Sequence, residues 1–457
     1  MKESAHHCAL APLLTEKDEA ESSEGGIDPL GTEPLADALA VKLAPGVRER
    51  QRHPRFLTAM AVSLSLCDEL GDEVVASDGV TPAWLVFEWY VVEGLVRTRG
   101  QTPKDIQGLP GRDKAARALA DGVQLSPRRY LKNPTVTGFH GAFWQLASVL
   151  GIEQGERLGG RGFDLLEVWA KDQALDGFVG TGGGRGKDIR QQLRKALRLG
   201  LQKGAVARTN GWAGWRFFSE HLAPYEFGRH EARFLSDALM EDAVSSRPKT
   251  QQNGASFRRE VLEFLVSDEG RRLWRQEVSS RRFSERVFHE ALRLRASADL
   301  RRLLLAIDIY ERFARLAQDA FDDCLYEMTR KRGKVAATEL GRLDSVKAAS
   351  QRLPKMFGEV VDRLEPFGQA LRFQQTFALL SEAGSASHWV ERLIEHHRKT
   401  QKQKPPDGKM AWLEGEGTSF IIHPLYRRDE PARCDGSYVH FYRTIPLWSF
   451  ASDLGMV

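Results

Sequence analysis

The sequence predicts a mainly α-helical protein that ends in a small β module. Between residues 211 and 404, apolar residues recur at helical spacing. Breaks at Pro248, Gly333, Pro354, Pro366 and Gly384 leave segments of ordinary helix length. After residue 405 the spacing of apolar residues changes from about 3.6 to about 2, which is typical of strands. We therefore expect a helical domain over residues 211–404 and a β module over residues 405–457.

The composition excludes several classes of protein. Of the 457 residues, 42% are hydrophobic and 28% are charged, which is enough apolar material for a substantial core. No apolar run is long enough to span a bilayer, and the acidic N-terminus lacks the apolar stretch of a secretory signal. The four cysteines are widely separated and match no zinc-binding spacing, so we expect free thiols in a cytoplasmic protein without a metal site.

The N-terminal part of the chain reads as an acidic leader followed by helices. Residues 1–45 contain many acidic residues, glycines and prolines, and we expect them to form a flexible leader. Residues 46–210 are expected to form a first helical domain, because apolar residues return at helical spacing. Its first helices are predicted over about residues 54–70, 82–97 and 112–121. Aromatic residues surround the second of these, so we expect a buried core helix.

Residues 126–178 show the order helix, turn, helix, short wing, helix. Ser126-Pro127 is predicted to cap a short helix, Asn133-Pro134 to start a longer one that stops at Gly151, and Leu158-Gly159-Gly160 to form the tip of a wing. This order resembles a winged helix-turn-helix, in which the second helix enters the major groove of DNA. The N-terminal half is therefore expected to be winged helix-turn-helix-like.

That resemblance identifies candidate nucleic-acid contacts. The second helix carries no arginine to read guanine edges, so contact with the backbone of double-stranded DNA is favoured over reading of bases. DNA contact is one interpretation of this segment. Winged helices also serve as protein-interaction modules, which is the second interpretation, and a purely structural role is the third. The residues expected to contact DNA are Arg128, Arg129, Lys132, Thr135, Thr137 and His140.

A glycine loop and a basic helix follow. The loop from Gly180 to Lys187 resembles a phosphate loop, but Thr181 replaces its first glycine and Asp188 follows the lysine, so we expect no nucleotide cofactor. The helix predicted over residues 187–203 has its cations on one face beside an apolar stripe. A flexible loop leading into such a helix can hold phosphates, whereas a solvated face is the alternative. The predicted contacts are Arg185, Lys187, Arg190, Arg194 and Arg198.

The C-terminal module is predicted to hold three strands. Residues 410–413 and 419–423 flank a glycine turn at 415–417, and residues 437–442 form the third strand. Polar side chains on these strands could converge, although edge-strand residues are the simpler interpretation. Large apolar side chains between residues 441 and 450 are expected to dock on the chain's own helices, with a partner as the alternative. The polar residues in question are Glu414, Glu416, His423, His440, Tyr442 and Arg443.

Two regions carry a resemblance to known proteins. The stretches YLKNPTVTGFHGAFWQLASVLGI with LLEVWAKDQ, and HFYRTIPLWSFASDLG, are similar to uncharacterised helical, winged-helix-containing accessory proteins of bacterial anti-phage defence or DNA-processing operons. The resemblance implies a non-enzymatic subunit that contacts DNA beside a helicase, ATPase or nuclease. A scaffold subunit without DNA contact and a nuclease without a recognisable motif remain as alternatives.

Overall fold

The computed structural model describes residues 28–71, 75–99, 106–241, 256–279, 284–404, 407–416 and 418–457. These residues are mainly helical, as predicted, and the strands among them form small antiparallel sheets. No helix among the described residues is long and apolar enough to cross a membrane.

The chain divides into two compact units, each built from separate stretches of sequence. The first unit contains described residues from 28–34, 317–354 and 376–432, and the second contains those from 35–316, 355–375 and 433–457. Residues that are far apart in the sequence therefore share a unit. The sequence analysis expected consecutive domains instead.

The helices are numbered here in chain order. They are α1 Glu33–Leu43, α2 Arg55–Cys67, α3 Ala83–Arg99, α4 Arg112–Ala120, α5 Pro134–Thr137, α6 Phe139–Val149, α7 Gly160–Asp172, α8 Arg185–Lys203, α9 Trp215–His221, α10 Arg229–Met240, α11 Arg258–Val266, α12 Asp268–Ser279, α13 Glu285–Arg295, α14 Ala298–Lys331, α15 Ala337–Leu340, α16 Asp344–Leu364, α17 Ala370–Phe377, α18 Ala386–Lys402 and α19 Thr444–Asp453.

The strands form one short hairpin and one three-stranded sheet. The hairpin pairs β1 (Glu153–Gln154) with β2 (Arg157–Leu158). The sheet, which belongs to the first unit, has the order β3-β5-β4, with β3 at Val335–Ala336, β4 at Leu413–Glu416 and β5 at Ser419–Ile422. The hairpin predicted for residues 410–423 is thus present as β4 and β5, with a first strand that starts later than expected.

The second unit is built around helix α2. Every residue from Arg55 to Leu66 is buried, and α3, α6, α7 and α8 all pack against this helix. Helix α3 is also a core helix, as predicted, because Phe87, Trp89 and Tyr90 on different sides of it are each at most 2% exposed. Helices that are apolar all round have no solvated face and must be covered by other helices.

A buried ion pair joins α2 to α10 inside this unit. The guanidinium Nη1 of Arg55 lies 3.1 Å from Oε2 of Glu231, and both side chains are fully buried. The hydroxyl of Thr58 donates to the same carboxylate at 2.6 Å, and Arg55 also donates to the carbonyl of His221 at 2.6 Å. Burial raises the pKa of Glu231 and lowers that of Arg55, so each charge depends on the other.

The first unit ties the N-terminal described residues to helix α18. One ring nitrogen of His396 lies 2.7 Å from the carbonyl of Leu30, and Nδ1 of His397 lies 2.8 Å from the carbonyl of Pro29. The other ring nitrogen of His397 accepts the backbone N–H of Trp412 at 3.0 Å, which fixes the ring as the Nδ1–H form. Both histidines are buried in the first unit.

The prediction of a flexible leader over residues 1–45 is wrong for residues 28–43. Residues 28–32 form the contacts with α18, and helix α1 begins at Glu33 with Leu35, Leu39 and Leu43 buried. The sequence pattern missed this helix because glycines and prolines precede it closely. Residues 1–27 lie outside the described part of the chain.

The third predicted strand, residues 437–442, is absent. Its backbone N–H groups do not pair with a neighbouring strand, because those of Val439 and Tyr442 donate at 2.6 Å to the carboxylates of Glu311 and Glu285. The third strand of the sheet is instead β3, whose Val335 pairs with Phe420.

Three smaller differences concern prolines and glycines. The helix predicted from Pro134 breaks into α5 and α6 at Gly138, where a Cβ would come within 2.2 Å of a carboxylate oxygen of Glu88. The predicted break at Pro354 is absent. Helix α16 continues through this residue, although proline has no backbone N–H to donate within the helix. The turn of the β1–β2 hairpin lies at residues 155–156, before the predicted wing tip at 158–160.

We expect Arg55→Met to lower the free energy of unfolding by about 3–5 kcal/mol, because it leaves the carboxylate of Glu231 buried without its cation. The double variant with Glu231→Met should recover part of this loss, because no unpaired charge remains but the carbonyl of His221 still lacks its donor. Urea denaturation measures both. Arg259→Ala, which removes one partner of an exposed pair, is the control and should cost less than about 1 kcal/mol. Equal losses in the single and double variants would contradict this account of the pair.

Candidate nucleic-acid interface

Arg128, Arg129 and Lys132 lie together on an exposed stretch of the second unit. A short 3-10 turn, Pro127–Arg129, follows the extended Ser126 and presents the arginines to solvent. None of the three cations forms an ion pair within the part of the chain that the structure describes. These residues are therefore accessible to a negatively charged partner.

A buried carboxylate anchors this stretch. Between the cations, Tyr130 is buried and its hydroxyl donates to Oε1 of Glu88 at 2.7 Å, while the backbone N–H of His140 donates to Oε2 at 2.9 Å. Burial raises the pKa of Glu88 to about 7. This one side chain of α3 thus fixes both the basic stretch and the start of α6.

Two adjoining grooves, each about 530 Å³, open beside the basic stretch. They share Gly108 and Leu109. Groove 1 is lined by Gln107, Gly108, Leu109, Gly111, Arg112, Asp113, Lys114 and Leu131. Groove 2 is lined by Glu49, Arg50, Arg52, Gly108, Leu109, Pro110, Thr137, Ala142 and Phe441.

The loop between the grooves is held by His53. One ring nitrogen of His53 lies 2.7 Å from the carbonyl of Gln107 and the other lies 2.7 Å from a carboxylate oxygen of Asp453. Gly111 has φ of 76°, and a Cβ there would come within 2.4 Å of the ring of Tyr130. The glycine therefore allows the basic stretch to pack directly against the wall of groove 1.

The acidic residues that line the grooves are already paired with arginines. In groove 2, Oε1 of Glu49 accepts the backbone N–H of Arg443 at 2.9 Å. In groove 1, Arg112 donates to Asp113 at 2.9 Å. Arg50 in groove 2 and Lys114 in groove 1 form no ion pair with any described residue. Both grooves therefore keep an excess of positive charge.

The structure corrects the prediction that His140 contacts DNA, because this side chain is buried. Its ring stacks on Trp84 at 4.5 Å between centroids and also faces Trp144. Thr135 is exposed, and Thr137 lines groove 2. Helix α6 therefore points the side chain of His140, its predicted DNA contact, into the core, and only the threonines before it reach the surface.

Two cations of the basic helix α8 are engaged within the chain. Arg190 donates to the carbonyl of Phe178 at 2.7 Å and to the hydroxyl of Ser65 at 2.6 Å, and it also pairs with Glu69. Arg194 pairs with the same carboxylate at 2.7 Å. Burial acts to raise the pKa of Glu69, but the two arginines outweigh it and hold the pKa below its usual value. These arginines stabilise the fold.

The other cations of α8 differ among themselves. Lys187 is exposed, Arg185 is exposed and lies 4.0 Å from Glu220, and Arg198 is half-buried. Two glycines of this segment have a packing role, because a Cβ would come within 2.7 Å of the carbonyl of Asp176 at Gly184 and within 2.1 Å of the carbonyl of Leu175 at Gly186. A Cβ on Gly180 or Gly183 would meet open space.

The two predicted basic groups lie at opposite ends of helix α2. The loop of groove 1 is bonded to His53 just before α2, whereas Arg190 is bonded to Ser65 near its end. Roughly twelve residues of helix separate these anchor points by about 18 Å. The stretch at 128–132 joins the grooves, and the cations of α8 form a separate surface.

The polar residues proposed for the C-terminal module do not share one unit. Glu414 and His423 belong to the first unit, whereas His440, Tyr442 and Arg443 belong to the second. The side chain of Glu416 and residue 417 lie outside the described part. Within the described ranges, no group of three or more His, Cys, Asp and Glu side chains is arranged to hold a metal ion.

A buried cluster in the second unit surrounds Glu311. His440 Nδ1 lies 2.6 Å from Oε1 of Glu311, and the hydroxyl of Tyr442 donates to the same oxygen at 2.7 Å. Burial acts to raise the pKa of Glu311, but His440 and the hydrogen bonds outweigh it and keep the pKa low. Nearby, the ring of His289 faces Tyr438 and Tyr442 edge-on, and neither ring nitrogen has a hydrogen-bond partner among the described atoms.

The sequence analysis missed the residues that form the groove walls. Arg50 and Arg52 belong to the basic run RERQRHPR at residues 48–55, which is a signal that the sequence analysis did not use. Arg112 and Lys114 follow Gly108-Leu109-Pro110-Gly111, a turn directly before a helix with basic residues in its first turn, which is a second signal.

His289 should make stability depend on pH. Burial lowers its pKa to about 4, whereas the unfolded chain takes up the proton near pH 6.5. Stability is therefore greatest above pH 6.5 and falls as the pH drops towards 4, by up to about 3 kcal/mol. In His289→Leu, we expect urea denaturation to show a smaller loss over this range. The exposed His388→Ala should keep the wild-type dependence, and identical curves for all three proteins would contradict the assignment.

The two kinds of cation on α8 should respond differently to truncation. Arg190→Ala leaves buried oxygens without their donor, so we expect the free energy of unfolding to fall by about 1–3 kcal/mol. Lys187→Ala should change it by less than about 0.5 kcal/mol, because the side chain is exposed and pairs with no described residue. Chemical denaturation of both variants checks this, and a neutral Arg190→Ala would show that its contacts are dispensable.

Comparison with known proteins gives no assignment: no family model, no curated protein and no solved structure matches the chain.

Proposed function

We propose that the chain is a non-enzymatic accessory subunit that contacts the backbone of double-stranded DNA through the basic surface around grooves 1 and 2. We define this basic groove surface as Arg50, Arg52, Arg112, Lys114, Arg128, Arg129 and Lys132. Its larger setting is a multi-protein bacterial defence or DNA-processing complex in the cytoplasm, beside a helicase, ATPase or nuclease. That setting rests on the sequence resemblance alone.

One observation carries the proposal: exposed cations without acidic partners lie on the stretch that reaches groove 1 through Leu131, and further cations line both grooves, whose own carboxylates are already paired. Arg128, Arg129 and Lys132 have no ion-pair partner among the described residues, while Glu49 and Asp113 are each bonded to an arginine. Unpaired cations attract phosphates and release the counterions that DNA carries, which is the main source of affinity for the DNA backbone.

The arrangement favours backbone contact over reading of bases. Helix α6 buries Phe139, His140 and Phe143, so it offers no polar face long enough to enter a major groove. We propose that residues 126–178 act in a winged-helix-like manner only in presenting cations beside a short hairpin. The contacts come from the stretch before the second helix and carry no sequence preference.

The scaffold alternative is favoured by exposed apolar side chains elsewhere in the second unit. Leu294 is 78% exposed and Leu371 is 65% exposed. Single exposed leucines are common on protein surfaces and define no patch. DNA contact is therefore the function that the charges support best, and a scaffold role would add to it rather than replace it.

We expect the triple variant Arg128→Ala, Arg129→Ala and Lys132→Ala to bind DNA more weakly, with the same loss of affinity for every DNA sequence. The slope of log K against log salt should shrink by roughly 0.9 for each phosphate that is no longer neutralised, so by about 2.7 in total. Fluorescence anisotropy with a blunt duplex over a series of salt concentrations measures both effects.

The matched control is the triple variant Lys355→Ala, Arg363→Ala and Arg372→Ala. It removes the same charge from exposed positions on α16 and α17, which contribute no residue to either groove. Equal effects of the two triple variants would show that only the net charge matters and would contradict the assignment to the grooves. Cleavage of the duplex in the presence of magnesium or manganese would instead support the nuclease alternative.

A further inference from the structure

Groove 2 contains an exposed aromatic ring beside two arginines. Phe441 is 51% exposed and lines the groove together with Arg50 and Arg52. Exposure of half of an apolar ring to water is unfavourable, so the surrounding chain must hold the ring in this position. The way in which its neighbours are bonded shows why the ring stays there.

The residues on both sides of Phe441 are fixed by two buried carboxylates. Before it, the backbone N–H of Val439 donates to Glu311 at 2.6 Å. After it, the backbone N–H groups of Tyr442 and Thr444 donate to Glu285 at 2.6 Å and 2.8 Å. With both flanks bonded to the interior, Phe441 can only project outward.

The backbone at Arg443, two residues further on, is strained. Arg443 has φ of 70°, a left-handed conformation that costs energy for any residue other than glycine. Its side chain is buried and pairs with Asp37 and Glu49. The two ion pairs hold the strained backbone in this conformation and thereby help to fix the segment that carries Phe441.

We propose that groove 2 binds an unpaired base of a single-stranded nucleic acid, which stacks on Phe441 while its phosphates contact Arg50 and Arg52. This inference rests on the proposed function and defines its substrate class as duplex DNA with a single-stranded end or gap. The duplex contacts the cations at 128–132, and the unpaired nucleotide enters the adjoining groove.

The chemistry of the groove favours a nucleotide over an acidic peptide. Every base offers a flat face for stacking on an aromatic ring, whereas an acidic side chain offers only charge. A base inside a duplex is stacked on both sides, so only an unpaired base can use the ring. The volume of about 530 Å³ lies within the range of pockets that bind small molecules.

The test compares four labelled probes by fluorescence anisotropy: an oligothymidine, an abasic strand of the same length, polyglutamate and a blunt duplex. We expect Phe441→Ala to weaken binding of the oligothymidine about tenfold or more and to leave the abasic strand and the duplex unchanged. Phe441→Tyr keeps an aromatic ring and should bind like the wild type. Phe163→Ala is the matched control, because Phe163 is also 51% exposed but lines neither groove.

Several outcomes would overturn the inference. If Phe441→Ala, or Phe441→Leu where the alanine variant melts early, binds oligothymidine like the wild type, the ring does not stack on a base. If the same variant weakens binding of the abasic strand or polyglutamate equally, the groove recognises an acidic chain instead. In these cases duplex binding that still depends on Arg128, Arg129 and Lys132 would leave the proposed function intact. A wild-type protein that binds none of the DNA probes would overturn both.

Discussion

Between residues 438 and 444, backbone N–H groups donate to carboxylates buried in helices α13 and α14, as they would donate to a neighbouring strand in a sheet. Glu285 and Glu311 accept backbone N–H groups that have no neighbouring strand to bond to, and an unpaired buried N–H costs about 1–3 kcal/mol. The position of Phe441, the backbone of Arg443 and the pairing of Glu49 all follow from these bonds. Groove 2 keeps its positive charge because Arg443 is held where it neutralises Glu49.

The sequence predicted the helices that have strong local signals. Pro54 and Pro82 mark the starts of α2 and α3, and the run of aromatic residues in α3 correctly indicated a helix buried on all sides. Local signals failed where distant partners decide the structure. The alternation of residues 437–442 is that of a strand, but acidic groups more than a hundred residues away satisfy its backbone.

The candidate interface was likewise predictable only where local sequence signals decide the position of a side chain. Arg128, Arg129 and Lys132 were identified because a proline turn and a charge run place them at the surface whatever surrounds them. His140 was misplaced because nothing near it in the sequence shows that Trp84 stacks on its ring. Arg190 looked like its exposed neighbours, and only the three-dimensional contacts with Ser65 show that it is structural.

The first unit closes late during synthesis of the chain. Its N-terminal residues bond to α18 across 366 residues of sequence, from Leu30 to His396. At a translation rate of about 5–20 residues per second, the ribosome needs roughly 20–70 s to make the second partner after the first has emerged. The second unit closes no earlier, because its residue His53 is bonded to Asp453 across 400 residues of sequence. Both units therefore reach their complete set of contacts only after the segments that follow α18 have been made.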